Sequence, residues 1–298
     1  MTRPRLTAAD FDPEVLRLFD QYVHGQLDRR GFIDRAARFA AGSSGAAAVL
    51  AALSPDFAHA QVVKPDDPRI RTETVMIDSP QGYGRVRALL AEPNRPGSRP
   101  GAVLVVHENR GLNPHIEDIT RRLAVDGFLA LAPDALHPLG GYPGDEDKAR
   151  SLFPQLDQAR TREDFVAAAG WLKASPRGNG RIGVIGFCYG GGMSNYLATR
   201  LPELAAAVPF YGAGAPLDRV PQIKARLLIH FADQDERINA GWPAYEAALK
   251  AAGVSYEAHR YPGTQHGFNN DTTPRFDAAA AALAWQRTLA HLRATLAG

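Results

Sequence analysis

Cysteine is almost absent from this chain of 298 residues, which has a single one, Cys188. One cysteine excludes an intrachain disulfide and any metal centre built from several thiolates. A lone cysteine is more often an inert core residue than a nucleophile. The residues around Cys188 must therefore decide between these two interpretations.

A strong net charge is also missing. The 34 Lys and Arg residues nearly balance the 32 Asp and Glu residues, and the net charge is +2. Proteins that bind nucleic acid or an anionic membrane usually concentrate basic residues in a patch, and here these residues are scattered. We therefore expect no nucleic-acid partner and favour small-molecule chemistry.

A long apolar run is lacking as well, because the Ala-rich segment before residue 61 is interrupted by Gly and Ser and is too short to span a membrane. Arg29-Arg30 precedes this segment, and Ala58-His59-Ala60 ends it. The combination is typical of a twin-arginine export signal with a small-residue cleavage site. It predicts no stable membrane insertion, and a periplasmic or exported protein if the signal is used, otherwise a cytoplasmic one.

The same segment has a second interpretation. Asp12-Pro13-Glu14 is typical of a helix start, and five apolar residues then fall on one helical face: Val15, Leu16, Phe19, Tyr22 and Val23. An export signal needs no such helix. The alternative is a helical arm that stays attached and packs on the catalytic domain or on another subunit, as in a homo-oligomer. Either way, we divide the chain into an N-terminal extension, 1–60, and a catalytic domain, 61–298.

From residue 70 onward, short apolar runs alternate with helical patterns. A hairpin is predicted over 72–91, and the later strands are predicted at 102–107, 128–132, 182–187, 205–210, 226–231 and 255–260. Helices are predicted at 114–126, 145–174 with a break near Pro154, 190–201, 242–252 and 274–296. The alternation predicts an α/β fold with a doubly wound, mostly parallel sheet.

Ligands of such sheets bind beyond the carboxyl ends of the strands. Cys188 follows a predicted strand within GFCYGG, Gly186–Gly191, and a predicted helix follows it. This is the form of a nucleophile elbow, with Cys in place of the commoner Ser. Small neighbours permit the tight turn, and the helix N-terminus favours a thiolate. We therefore predict that Cys188 is a nucleophile.

A nucleophile of this type needs a base, and the base needs a group that orients it. His266 lies in a glycine-flanked loop after the last predicted strand, whereas His24 and His59 precede the catalytic domain and are set aside. Asp233 and Asp235 both follow an earlier strand, and we prefer Asp235 as the acid. The chain order is then nucleophile, acid, histidine, as in α/β-hydrolases.

Together, GFCYGG, the ADQD…YPGTQHGF pair and the early VHENRGLNPHIEDI resemble the dienelactone hydrolase family of the α/β-hydrolase superfamily, from about residue 71 to the C-terminus. The resemblance implies a cofactor-independent hydrolase of carboxylic esters or lactones, acting through an acyl-enzyme. It also implies that Glu108 accepts the thiol proton. The backbone N–H groups of Tyr189 and Asn109 would form the oxyanion hole.

The chain departs from the family at one point. Members that act on dienelactone hold its carboxylate with arginines, one of them shortly after the catalytic histidine, but here His266 is followed by GFNN. We name Arg110 and Tyr211 as candidate substrate-binding residues. Two alternatives stay open: the same triad acting on another carbonyl or on a carbon–halogen bond, and a binding protein that has lost catalysis. No paired metal-ligand spacing is present, so no metal is expected.

Overall fold

The structure, a computed structural model, describes residues 6–40 and 42–298, apart from the side chain of His59. Its centre is one sheet with the strand order β1-β2-β4-β3-β5-β6-β7-β8. The pairs β1/β2 and β2/β4 are antiparallel, and the remaining pairs are parallel. The strands are β1 (Ile70–Ser79), β2 (Gly84–Pro93), β3 (Ala102–Val106), β4 (Leu129–Pro133), β5 (Ile182–Phe187), β6 (Ala206–Phe210), β7 (Arg226–Gln234) and β8 (Tyr256–Gln265). The predicted α/β fold is confirmed.

Helices cover both faces of this sheet. In β3, Leu104 and Val106 join the apolar cluster on one face, and Val103 and Val105 join the cluster on the other. A strand buried on both faces cannot alternate with polar residues, which explains its continuous apolar sequence. The helices are α1 (Pro13–Val23), α2 (Arg29–Ala36), α3 (Gly42–Leu53), α4 (Phe57–Ala60), α5 (Pro114–Val125), α6 (Glu146–Leu152), α7 (Gln158–Ala174), α8 (Tyr189–Arg200), α9 (Glu236–Asn239), α10 (Trp242–Ala251) and α11 (Ala278–Leu296).

Two elements near the site test the sequence-based expectation in detail. The predicted break near Pro154 is confirmed: the helical region over 145–174 is divided into α6 and α7 by a 3₁₀ turn at Phe153–Gln155, where Pro154 cannot donate a helical hydrogen bond. Strand β8 continues to Gln265 rather than ending at residue 260, with an irregular register between Ala232 and Gln234 of β7. His266 therefore follows β8 directly.

Residues 13–40 and 42–53 form an arm that contains the three helices α1 to α3 and has an apolar cluster of its own. Its centre contains the fully buried Phe32, Ala36, Ala46 and Leu53. Arg29 of the twin-arginine pair forms an ion pair with Asp147 (2.8 Å), and Arg30 lies 3.9 Å from Asp34. The arm therefore forms a folded unit that contacts the first turn of α6. The expected cleavage site ends α4, and the side chain of its His59 lies outside the described residues.

Within the described part of the chain, no single helix has the length and apolarity to cross a membrane. The segments Arg29–Phe39 and Gly42–Leu53 reach that length and apolarity only as a pair, with a bend of 111° between them.

Candidate active site

Cys188 lies in a strained turn between β5 and α8. Its φ is +55° and its ψ is −111°, a conformation that costs a non-glycine residue about 1–3 kcal/mol. The neighbouring glycines permit the turn, because a Cβ on Gly186 would lie 1.9 Å from the carbonyl oxygen of Gly190. A Cβ on Gly190 would lie 2.1 Å from the carbonyl oxygen of Val106. The turn holds the sulfur at the carboxyl edge of the sheet.

The turn also places Cys188 at the N-cap of α8. Tyr189 is the first residue of this helix, and the N–H groups of first-turn residues have no partner within the helix. Gly191 and Gly192 donate their N–H groups to the carbonyl oxygen of Cys188. Asn109, the other residue expected in the oxyanion hole, lines both cavities that border Cys188.

His266 and Asp235 are brought together from the ends of β8 and β7. His266 Nδ1 lies 2.5 Å from Asp235 Oδ2, and the second oxygen of this carboxylate accepts from the backbone N–H of Ile238 (3.3 Å). Both residues are buried. Because the carboxylate can only accept, Nδ1 carries the proton, and Nε2 of His266 is buried without a hydrogen-bond partner.

Asp233 takes a different position. Its Oδ2 accepts from the backbone N–H of Gly263 (3.1 Å), and the residue is exposed. Of the two candidate carboxylates, Asp235 is therefore the one that contacts the histidine.

The role that the resemblance implies for Glu108, acceptance of the thiol proton, stays a prediction. Oε2 of Glu108 accepts from the side-chain amide of Asn270 (3.0 Å), while the Cys188 sulfur lies 3.4 Å from Nε2 of His24. Glu108 remains on the wall of the smaller cavity at the site, together with Cys188 and His266. In this arrangement the amide of Asn270 holds the carboxylate at the wall of the site.

His24 is the residue that sequence reasoning missed. It follows the last residue of α1, and its Nε2 lies 3.4 Å from Cys188 Sγ. We set it aside because it precedes the catalytic domain. A signal was nevertheless present: the apolar face of α1 has to be buried on something, and His24 comes directly after that face.

Cys188 and the two histidines form one electrostatic cluster. One ring nitrogen of each histidine and the sulfur all lie within 4.8 Å of one another. Burial alone would raise the pKa of the thiol, but the imidazoles of His266 and His24 outweigh it and lower the pKa to about 6. Burial opposes charge on His266 too, yet the Cys188 thiolate and Asp235 raise the pKa of its imidazole. The cluster thus favours a thiolate facing an imidazolium.

Sulfur and two imidazoles are also groups that bind transition metals. However, Arg237 Nη2 lies 2.9 Å from Nε2 of His24, and this guanidinium places a positive charge beside the trio. We therefore interpret the trio as an acid–base cluster.

Two cavities meet at Cys188. The larger has a volume of about 630 Å³, and the smaller of about 60 Å³. The larger is lined mainly by apolar and aromatic groups from α8 and the loop after β6, with the exposed Arg162 and Arg237 at its wall. A cavity of this size and composition suits a small organic molecule.

The two candidate substrate-binding residues differ in their surroundings. Arg110 is buried on the wall of the smaller cavity, and its Nη1 donates to the side-chain oxygen of Asn109 (2.6 Å). Tyr211 lines neither cavity: it is fully buried, and its ring packs 4.9 Å from that of His266. Tyr211 therefore packs against the imidazole of His266 without bordering either cavity. A second arginine, Arg275, reaches the smaller cavity from nine positions beyond His266, past the GFNN segment that follows the histidine.

Comparison with known proteins identifies the family of this chain. The family profile described as the dienelactone hydrolase family matches residues 86–296, which is more than half of the chain. The chain belongs to the dienelactone hydrolase family. The matched region of this chain contains Glu108, Cys188, Asp235 and His266. A second profile, described as YqhI-like, matches residues 1–40, which include His24.

Curated relatives cover most of the hydrolase domain. A protein of Synechocystis sp. (strain ATCC 27184 / PCC 6803 / Kazusa) named as a carboxymethylenebutenolidase is 33% identical over 233 residues, which is 72% of this chain and 94% of that protein. A hydrolase fragment of Escherichia coli (strain K12), YghX, is 50% identical over 105 residues, 35% of this chain and 90% of the fragment. A crystal structure of a Klebsiella pneumoniae protein named as a dienelactone hydrolase superposes with a TM-score of 0.67 at 29% identity, covering 75% of this chain and 98% of that chain.

Proposed function

We propose that this dienelactone hydrolase family member hydrolyses carboxylic esters or lactones through a covalent intermediate on Cys188. Its relatives support the substrate class: besides the carboxymethylenebutenolidase of Synechocystis, a Bradyrhizobium protein named as a lactonase of 2-oxo-3-(5-oxofuran-2-ylidene)propanoate is 33% identical over 247 residues. That relative is covered over 98% of its length.

One observation carries the proposal. Asp235 fixes the proton of His266 on Nδ1, and the unpartnered Nε2 of this buried ring belongs to a cluster with the Cys188 sulfur. A nucleophile, a base and a group that orients the base are the three parts that acyl transfer requires. A cysteine that only filled the core would need none of these partners.

The reaction has two halves. In the first, the thiol gives its proton to a base, the thiolate attacks the carbonyl carbon, and the C–O bond breaks as the leaving oxygen takes up that proton. In the second, His266 removes a proton from water, and the resulting hydroxide attacks the thioester. The acid is released, and the sulfur recovers its proton from His266.

The negatively charged oxygen of each tetrahedral intermediate needs hydrogen-bond donors to stabilise it. The backbone N–H of Tyr189 points from the free end of α8, and we assign it this role together with the backbone N–H of Asn109. Loss of one such donor typically costs about 3–4 kcal/mol of transition-state stabilisation. Substrate enters through the 630 Å³ cavity, where Cys188 and Tyr189 share one wall.

Mass spectrometry of the full chain tests the proposal directly. We expect incubation with a slowly hydrolysed p-nitrophenyl ester to add one acyl group to the peptide that contains Cys188, with a burst of p-nitrophenol equal to the enzyme concentration. Cys188→Ala should show neither adduct nor burst. An adduct on another residue, or turnover that persists in Cys188→Ala, would refute the covalent scheme; turnover of haloalkanes but not of esters would replace the substrate class.

A further inference from the structure

We propose that His24 is a further catalytic residue, the base that removes the proton from the Cys188 thiol, and that helix α1 is therefore part of the active site. The inference rests on the proposed function of Cys188 as a nucleophile. It assigns to His24 the step that family resemblance assigns to Glu108.

The hydrogen bonds of His24 define its tautomer. Nδ1 lies 2.7 Å from the carbonyl oxygen of Asp20, which can only accept, so Nδ1 carries a proton. Arg237 Nη2 lies 2.9 Å from Nε2, and a guanidinium can only donate. Nε2 therefore has a lone pair, and it lies 3.4 Å from the sulfur, within hydrogen-bond reach of the thiol.

The proton transfer is balanced by these groups alone. The S–H bond of Cys188 breaks, an N–H bond forms on Nε2 of His24, and the products are a thiolate and an imidazolium. Arg237 is exposed, so its guanidinium can turn to solvent once Nε2 becomes a donor. The carboxylate of Asp20, whose Oδ1 lies 3.3 Å from Nδ1, stabilises the new positive charge. The proton then passes to the leaving oxygen.

The position of His24 is fixed by contacts of α1 with the hydrolase domain. Tyr22 donates its hydroxyl to Asp147, and the carbonyl oxygen of Val23 accepts from the side chains of Asn109 (3.0 Å) and Arg110 (3.3 Å). Asp20 lies 3.5 Å from Arg275. These contacts lie immediately before His24 in the sequence, so the imidazole is held over the sulfur by several polar groups rather than by one.

The two histidines differ in the groups that hold them at the sulfur. Nδ1 of His24 is held by the backbone carbonyl of Asp20 and its Nε2 lies 3.4 Å from Cys188 Sγ, whereas Nδ1 of His266 is held by the carboxylate of Asp235. Glu108 is engaged by the amide of Asn270 (3.0 Å). The first proton transfer therefore belongs to His24, and activation of water belongs to His266.

Alkylation of the full-length protein by iodoacetamide tests this step without requiring turnover. We expect His24→Ala to lower the alkylation rate of Cys188 at neutral pH by at least about tenfold, because the thiolate is the reactive form. Added imidazole should restore much of the rate in His24→Ala. His259→Gln provides a matched control, since His259 lies on β8 with Glu257 as its partner (3.6 Å), and it should react as the unaltered protein does.

Three results would overturn the inference: an unchanged rate in His24→Ala, a reduced rate that imidazole does not restore, or a larger loss in Glu108→Gln than in His24→Ala. The second result would mean that His24 only holds the arm in place. Failure of the proposed function is distinguishable from these outcomes. It would appear as rapid, His24-dependent alkylation in a protein that hydrolyses no ester or lactone.

Discussion

The rings of His24 and His266 meet edge to face, with centroids 4.6 Å apart and an interplanar angle of 84°. Each ring has its Nδ1 proton bound to an aspartate, through the backbone carbonyl of Asp20 for His24 and through the carboxylate of Asp235 for His266. Both rings thus direct Nε2 toward a shared space at Cys188. Two imidazoles in the same tautomer can act in sequence on one sulfur.

The pH dependence of Cys188 alkylation should reflect this arrangement. Since the neighbouring imidazoles lower the pKa of the thiol to about 6, the thiol is protonated below that pH, and the thiolate predominates above it. The alkylation rate should therefore rise through pH 6 and level off above it, well below the range of an ordinary cysteine. His266→Asn should move the midpoint upward, as removal of a positive neighbour favours the thiol. A midpoint above pH 8 in the unaltered protein would contradict the charge distribution described.

The carboxylate of Asp235 should matter far more than that of Asp233. Asp235→Asn removes the acceptor that fixes the tautomer of His266, and the equivalent change in Ser-His-Asp enzymes lowers kcat about 10⁴-fold. We expect a fall of about 10²–10⁴-fold here, measured as steady-state ester hydrolysis. Asp233→Asn is the matched control, because the Asp233 carboxylate accepts from the backbone N–H of Gly263 in β8 rather than from the histidine. Equal losses in the two variants would mean that the effect is structural.

Pre-steady-state kinetics should distinguish the roles of the two histidines. His24→Gln slows formation of the acyl-enzyme, so the burst of p-nitrophenol becomes slower. His266→Asn slows attack by water, so the burst stays and the acyl-enzyme accumulates. Stopped-flow absorbance distinguishes the two patterns. Identical effects of both substitutions on the burst would show that the two rings do not share the work in this way.

The glycines of the turn should be intolerant of a single methyl group. Gly190→Ala would place a Cβ 2.1 Å from the carbonyl oxygen of Val106, so either the strand or the helix must shift. We expect a loss of unfolding free energy of about 3 kcal/mol or more in urea denaturation. Gly170→Ala serves as the control, since Gly170 lies in α7 with no atom within 4 Å of the added Cβ. That change should stabilise the protein by about 0.5–1 kcal/mol. Similar stability of the two variants would refute the close approach.

The active protein should retain its N-terminal extension. Cleavage after Ala60 would remove α1 and with it His24, so a processed form would lack the base that we assign. Intact-mass measurement of active protein, from periplasm and cytoplasm separately, should find residues 1–60 attached wherever esterase activity is found. Full activity in a form that begins at Gln61 would refute the catalytic role of His24.

Sequence alone predicts those parts of the molecule that depend on local chemistry. The turn at Cys188 requires glycines at fixed positions, and β3 requires an unbroken apolar run, so both can be recognised from a few adjacent residues. His266 and Asp235 can also be named as candidates from the sequence, because both residues follow predicted strands. Their contact itself depends on β8 continuing five residues beyond its predicted end.

The arm could not be placed in this way. Docking of α1 depends on the hydroxyl of Tyr22 meeting Asp147 and on the carbonyl of Val23 meeting Asn109, and neither contact leaves a periodic trace in the sequence. Arg275 was missed for a similar reason, because the loop after His266 returns to the site only after several turns. Contacts between segments that are distant in sequence are set by the whole fold.

The unequal cavities on the two sides of Cys188 impose a direction on the chemistry. The larger cavity offers about 630 Å³ and the smaller about 60 Å³, so an organic acyl group together with its leaving group fits on the larger side. Glu108 and His266 border the smaller side. The sulfur is then the point at which a substrate from one side meets the acid–base groups of the other.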